Sequence, residues 1–172
     1  MARFLSLEQR VLSLNEAEAK CAQWREEGRK MVFTNGVFDL LHRGHVTYLE
    51  AAAAKGDVLV VGVNDDASVR RLGKGDDRPI VGEDDRARVV AALRSVAIVL
   101  LFSADTPLEL IQRLKPDVLV KGGDYDAACT DPLSPHYIVG SAEVKSTGGS
   151  VETIALVPGR STTAMATKLK GQ

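Results

Sequence analysis

Two apolar runs, Asp57-Val58-Leu59-Val60-Val61-Gly62-Val63 and Val96-Ala97-Ile98-Val99-Leu100-Leu101-Phe102, constrain the fold more than any other feature of this 172-residue chain. Neither alternates with polar residues after its first position, so each suits a strand covered on both faces rather than one with a wet side. Lys30 to Thr34, Asp117 to Val120 and Val151 to Val157 read as further strands. Helical stretches separate them. Arg43 to Lys55 places Val46, Leu49 and Ala53 on one face and closes at Gly56; Asp84 to Ser95 follows. Thr106-Pro107 opens a helix running to Leu114, with proline in the favoured first turn. Leu5 to Gly28 reads as an N-terminal helix or helix pair ended by Gly28, and Ala164 to Lys170 as a C-terminal helix. Strands alternating with helices through short linkers predict an α/β fold, a Rossmann-like doubly wound parallel sheet with helices on both faces. The expected organisation is one domain over 1–172, with a helical segment at 1–28 and the α/β core at 29–172.

In such sheets ligands bind beyond the carboxyl ends of the strands. The unusual residues collect there: Thr34-Asn35-Gly36, Asn64-Asp65-Asp66, Ser103, Lys121-Gly122-Gly123-Asp124 and Pro158-Gly159-Arg160. The richest of these places continues as Val37-Phe38-Asp39-Leu40-Leu41-His42-Arg43-Gly44-His45. His42 and His45, three apart at a helix start, stand on one face beside unpaired backbone N–H groups and the positive end of the helix dipole. That combination suits phosphate oxygens. A zinc site is the competing reading, but the remaining histidine, His136, and the cysteines Cys21 and Cys129 lack ligand spacing. A second anion clamp is expected at Gly159-Arg160-Ser161-Thr162-Thr163, where an arginine and three hydroxyls precede a helix; simple capping would need only one hydroxyl. Arg70 to Pro79 suits a mobile phosphate-covering loop or a plain solvated one. No P-loop or G-x-G-x-x-G spacing is present.

Composition narrows the partners. A formal net charge of −1 and a pI near 6.3 argue against nucleic-acid binding. Two distant cysteines give no disulfide framework, which points to a reducing cytoplasm. Arg3, Glu8, Arg10 and Glu16 interrupt any signal-peptide core, and the longest apolar run is too short for a bilayer, so a soluble protein without a membrane partner is expected. A homo-oligomer is expected, with a dimer the commonest assembly.

The ungapped set Gly36, Phe38, Asp39, His42, Gly44 and His45 resembles the HxGH signature of the cytidylyltransferase-like nucleotidyltransferases. The resemblance implies His42, His45 and Lys74 as catalytic residues. It implies nucleotide contacts from Thr34, Asn35, Gly36, Phe38, Asp39, Gly44, Arg86, Lys121, Gly122, Asp124, Arg160, Ser161, Thr162 and Thr163. Asp39 is open between capping the histidine-bearing helix and helping to place Mg²⁺, which the ATP phosphates would mainly carry; no protein metal site is expected. Thr-Asn-Gly-Val-Phe-Asp, Asp-Val-Leu-Val-Lys-Gly-Gly-Asp-Tyr and Ser-Thr-Thr occurring together resemble the branch that joins ATP and D-glycero-β-D-manno-heptose 1-phosphate into ADP-heptose for lipopolysaccharide. A kinase portion, often fused to that domain, is absent, so a stand-alone form is expected. Asp126 to Tyr137 is a longer insert than that branch carries, facing either the sugar or an interface. The residues themselves leave base and acceptor open. Cytidylyl or adenylyl transfer to glycerol 3-phosphate or a flavin precursor, or a nucleotide-sensing module without turnover, would use the same motifs.

Overall fold

A computed structural model describes residues 6–73, 75, 77–169 and 171. Lys74, one of the expected catalytic residues, lies outside the described residues. After a short 3₁₀ turn at Leu7–Gln9 come α1 (Leu14–Glu26), β1 (Met31–Gly36), α2 (Arg43–Ala53), β2 (Val58–Asn64), α3 (Asp66–Arg71), α4 (Glu83–Ala91) and β3 (Ile98–Phe102). The chain continues through α5 (Leu108–Leu114), β4 (Val118–Gly122), α6 (Ser141–Ser146), β5 (Ser150–Ile154) and α7 (Thr162–Leu169). The five strands form one sheet in the order β3-β2-β1-β4-β5, every pairing parallel.

The strands divide their side chains between two cores, as a period of two requires. Met31, Phe33, Val58, Val60, Ile98 and Leu100 face Trp24 of α1, Leu110, Ile111 and Leu114 of α5 and Val144 of α6. Val32, Leu59, Val61, Val63 and Val99 face Leu49 and Ala52 of α2 and Ala87, Val90 and Ala91 of α4. Both faces are covered, which explains the unbroken apolar runs. At the start of β2 the backbone comes so close that a Cβ on Gly56 would stand 2.6 Å from the Lys30 carbonyl oxygen.

Local sequence sets the boundaries. Ser13 and Glu16 form a reciprocal capping box at α1, and Gly28 ends it in the left-handed region at φ 71°. The N-terminal stretch is therefore not helical throughout. Its residues before Leu14 instead lie against the sheet edge, with Val11 bridging Val99 in parallel and Arg10 donating to the carbonyls of Leu93, Val96 and Ala97. That contact covers the edge strand β3. Pro107 stands at the N-cap of α5 rather than inside its first turn. The helices α3 and α6 were not foreseen; at 6 residues each they are too short to show a periodicity.

Strand order reverses between β1 and β4. The helix after β1 covers one face and α6, after β4, covers the other, so the chain parts at the carboxyl ends of these two strands. That switch point is where a crevice forms.

Candidate active site

A cavity of about 890 Å³ opens there. Its lining gathers the ends of β1 and β4, the first turns of α2 and α7, and part of the loop after α3. Of the expected nucleotide contacts, Asn35, Gly36, Phe38, Asp39, His42, Gly44, His45, Lys121, Gly122, Asp124, Arg160, Ser161, Thr162 and Thr163 all line it.

His42 is the N-cap of α2, and His45 sits one turn into the helix. Their rings stack with centroids 4.0 Å apart and planes 19° from parallel. His45 Nδ1 accepts the backbone N–H of His42 at 3.4 Å, which leaves Nε2 as the protonated nitrogen of a neutral ring. Phe38, with φ 52°, packs edge-on against His45 at 5.5 Å. A Cβ on Gly44 would come within 2.9 Å of the His42 ring and 3.3 Å of Arg160 Cβ, so the residue between the histidines must be glycine for both to approach. His42 Nδ1 is buried and has no protein partner. Burial, and then the charge of Arg160, holds the His42 pKa below its ordinary value. Burial, and then His42, pushes His45 down to about 4. Both rings are thus neutral donors at neutral pH until an anion arrives.

Beside this pair, Ser161 Oγ accepts the Ala164 N–H at 3.1 Å and so caps α7. Thr162 Oγ1 donates to the Leu40 carbonyl at 3.4 Å, tying α7 to the segment that leads into α2. Capping is therefore one real function of the Ser-Thr-Thr turn, while Arg160 supplies charge beside His42. At the switch point Lys121 Nζ donates to Asn35 Oδ1, joining the ends of β4 and β1, and lies 5.6 Å from the Tyr125 ring.

Three expected contacts stand differently. Thr34 is fully buried and does not line the cavity; its Oγ1 pairs with the Tyr48 hydroxyl at 2.7 Å, because the side chain of this strand position turns towards α2. Arg86 is likewise outside the lining and is 1 % exposed. Its guanidinium donates to the Val81 and Val37 carbonyls at 2.8 and 2.6 Å and pairs with Asp66 at 2.7 Å. Asp39 neither caps α2, whose N-cap is His42, nor sits free for a metal. It accepts from Arg78 at 2.7 Å and from the Ile80 and Val81 amides at 2.9 Å each. Among the described residues no group of three or more His, Cys, Asp or Glu could hold a metal ion.

The lining also includes residues outside the expected contact set, some of them from segments already marked as candidates. Tyr48, Asn64, Leu72 and Arg78 contribute on the α2, β2 and α3 sides, and Tyr125, Pro135, Tyr137 and Leu156 beyond β4 and β5. Pro135 and Tyr137 belong to the 126–137 insert, which is pinned by His136 Nδ1 against the Asp124 carbonyl at 2.9 Å and by the Asp126 N–H donating to the His136 carbonyl at 2.9 Å. The insert therefore turns its later half towards the cavity.

The profile of the cytidylyltransferase-like family matches residues 33–155. The bifunctional protein HldE of Methylobacillus flagellatus is 52 % identical over 160 residues, covering 93 % of this chain and 31 % of that protein. HldE of Magnetococcus marinus is 49 % identical, covering 95 % of this chain and 32 % of its own length. This chain thus spans about a third of the length of the curated relatives it matches. Among solved structures, the lipopolysaccharide core biosynthesis protein from Thermoplasma volcanium superposes with a TM-score of 0.57 at 27 % identity, over 76 % of this chain and 98 % of that one. Pantoate–β-alanine ligase from Francisella tularensis superposes with a TM-score of 0.58 at 13 % identity, over 89 % and 68 %, and shares the fold.

Proposed function

The chain belongs to the cytidylyltransferase-like family of nucleotidyltransferases, and from that premise we propose that it transfers AMP from ATP to D-glycero-β-D-manno-heptose 1-phosphate, giving ADP-heptose and pyrophosphate. The observation that carries the chemistry is the neutral, stacked histidine pair at the start of α2, with Arg160 and the start of α7 beside it in one cavity. The choice of heptose and of adenine rests on the sequence phrases shared with the ADP-heptose branch and is supported by the identity to HldE and the likeness to a lipopolysaccharide core biosynthesis protein.

A sugar-phosphate oxygen attacks the α-phosphorus of ATP. One P–O bond forms to that oxygen, and the bond to the β-phosphate oxygen breaks, with pyrophosphate leaving as the anion. The nucleophile is already an anion at neutral pH, so no general base is needed. The protein's task is to hold two repelling anions together and to stabilise charge on the α-phosphate and leaving group. His42 and His45 donate to phosphate oxygens, and the Arg160 guanidinium adds a planar fork of charged donors. Asp39 is occupied by Arg78 and two amides, so the described residues offer no magnesium cage. Mg²⁺ enters with the ATP phosphates, as part of the substrate, and neutralises part of their charge.

Among the described residues no helix is long and apolar enough to cross a membrane, in keeping with a cytoplasmic enzyme that draws on the ATP pool. We place no nucleic acid among its partners and expect a dimer. Pyrophosphate release measured with heptose 1-phosphate across ATP, CTP, GTP and UTP tests the reading. ATP is expected to be preferred; preference for CTP would reassign the base, and absence of turnover with every nucleotide would remove the activity.

A further inference from the structure

The loop between α3 and α4 is buckled to the segment after β1 in a way that no motif announces. Asp39 takes the Ile80 and Val81 amides on Oδ1 and Arg78 Nη1 on Oδ2, while Arg86 reaches back from α4 to the Val37 and Val81 carbonyls. The carboxylate collects donors of the loop, and the guanidinium of Arg86 collects one carbonyl from each segment. The loop is therefore held at both kinds of backbone group. The Asp39 and Arg78 side chains are 3 % and 10 % exposed, yet both line the cavity together with His42 and His45.

A pair meant only to pin the loop would not need the arginine, because two amides already bind Asp39 Oδ1 and Arg86 already ties Val81. Arg78 spends one donor on Asp39, and a guanidinium carries five in a planar fork. The arginines that line the cavity, among the described residues, are Arg78 from this loop and Arg160 from the turn before α7. With both histidines neutral, a triphosphate would draw fixed positive charge from these two arginines and from Lys121 at the end of β4.

We propose that Arg78 contacts the nucleotide phosphates and that Asp39 is the positioning residue that presents its guanidinium to the cavity. This rests on the nucleotidyl-transfer reading above. Calorimetric titration of the full chain with ATP and with adenosine tests it. The unaltered protein must bind ATP well above adenosine; if it does not, the nucleotidyl-transfer reading itself falls. Given that binding, Arg78→Ala should weaken ATP by about 10- to 100-fold, as for loss of a charge-assisted bond, and change adenosine by no more than about twofold. Arg78→Lys keeps a cation beside Asp39 and the loop in place, so it should fold like the parent and still lose part of the ATP affinity. Asp39→Asn keeps an acceptor for the two amides but releases the arginine, and should cost ATP several-fold. In the Arg78→Ala background the same change should add little, because Asp39 acts through Arg78. An unchanged ATP-to-adenosine ratio in Arg78→Ala and Arg78→Lys, with only the melting temperature lowered, would make the pair a loop pin and overturn the proposal. An Asp39→Asn loss that is undiminished without Arg78 would overturn the positioning role.

Discussion

Two helices begin at the same cavity, and their first turns are built in opposite ways. The start of α7 is satisfied by the protein itself: Ser161 accepts the Ala164 N–H and Thr162 binds the Leu40 carbonyl. The start of α2 is not. Its N-cap is a histidine whose buried Nδ1 has no protein partner, although the backbones of His42 and His45 are tied by the His42 N–H to His45 Nδ1 and by the His45 N–H to the His42 carbonyl. Buried polar atoms are normally paired, so this orphan sets the start of α2 apart from that of α7. The difference separates chemistry from scaffolding. On the proposed reading the α2 end would carry the reacting phosphates, and the α7 end would hold Arg160 in place while contributing its hydroxyls second.

The largest expected effect lies at α2. His42→Ala or His45→Ala should lower kcat by about 10²- to 10³-fold, as for the loss of one transition-state donor, with a melting temperature close to the parent's; steady-state pyrophosphate release and thermal melts check both. A smaller effect is expected at the start of α7. Arg160→Ala should weaken ATP binding by about 10-fold or more and leave adenosine nearly unchanged, with Arg160→Lys recovering part, by titration of both ligands. Equal losses for the two ligands would take Arg160 out of the phosphate clamp.

Acid should act on the α2 side through stability. His45 is held at about 4 in the folded chain, against an ordinary value of 6.5. Between those values the unfolded chain binds a proton that the folded chain refuses, so stability should fall as pH drops from about 6.5 towards 4. The loss should shrink in His45→Ala, as denaturant melts at stepped pH would show. The smallest effect belongs to the cap. Ser161→Ala should cost about 1 kcal/mol of stability and leave ATP affinity within about twofold. An ATP loss larger than that for Arg160→Ala would reverse the ranking of the two helix starts.

What could be read in advance divides along the same line. The α2 site is local: Gly36 to His45 is one unbroken stretch, and a strand, a turn and a helix start fix the relation of its residues. The parallel sheet was legible because strands such as Val58–Asn64 are buried on both faces and show it in composition. The buckle of Asp39 to Ile80 and Val81 joins residues 41 and 42 positions apart, through a loop with no periodicity. No spacing rule reaches that far, so Asp39 read as a cap or metal ligand, and Arg78 read only as part of the Arg70 to Pro79 loop without a role of its own. Arg86 misled for a related reason. The resemblance implied a nucleotide contact from it, but Asp66 and two carbonyls lie within its reach and take it into the interior. The insert showed its length, yet not that Pro135 and Tyr137 would turn towards the cavity, which depends on His136 meeting the Asp124 carbonyl.

The central claim is that an anion completes the histidine pair at the start of α2. Proton uptake on binding measures it directly, through calorimetry of ATP and adenosine at pH 6 in buffers of differing ionisation enthalpy. A triphosphate beside two rings with depressed pKa values raises them, so ATP, once the proton lost from its own γ-phosphate is allowed for, should bind with proton uptake at the rings and adenosine without it. The uptake should be lost in the double variant carrying His42→Ala and His45→Ala. ATP binding without proton uptake, or uptake that persists in the double variant, would contradict the account.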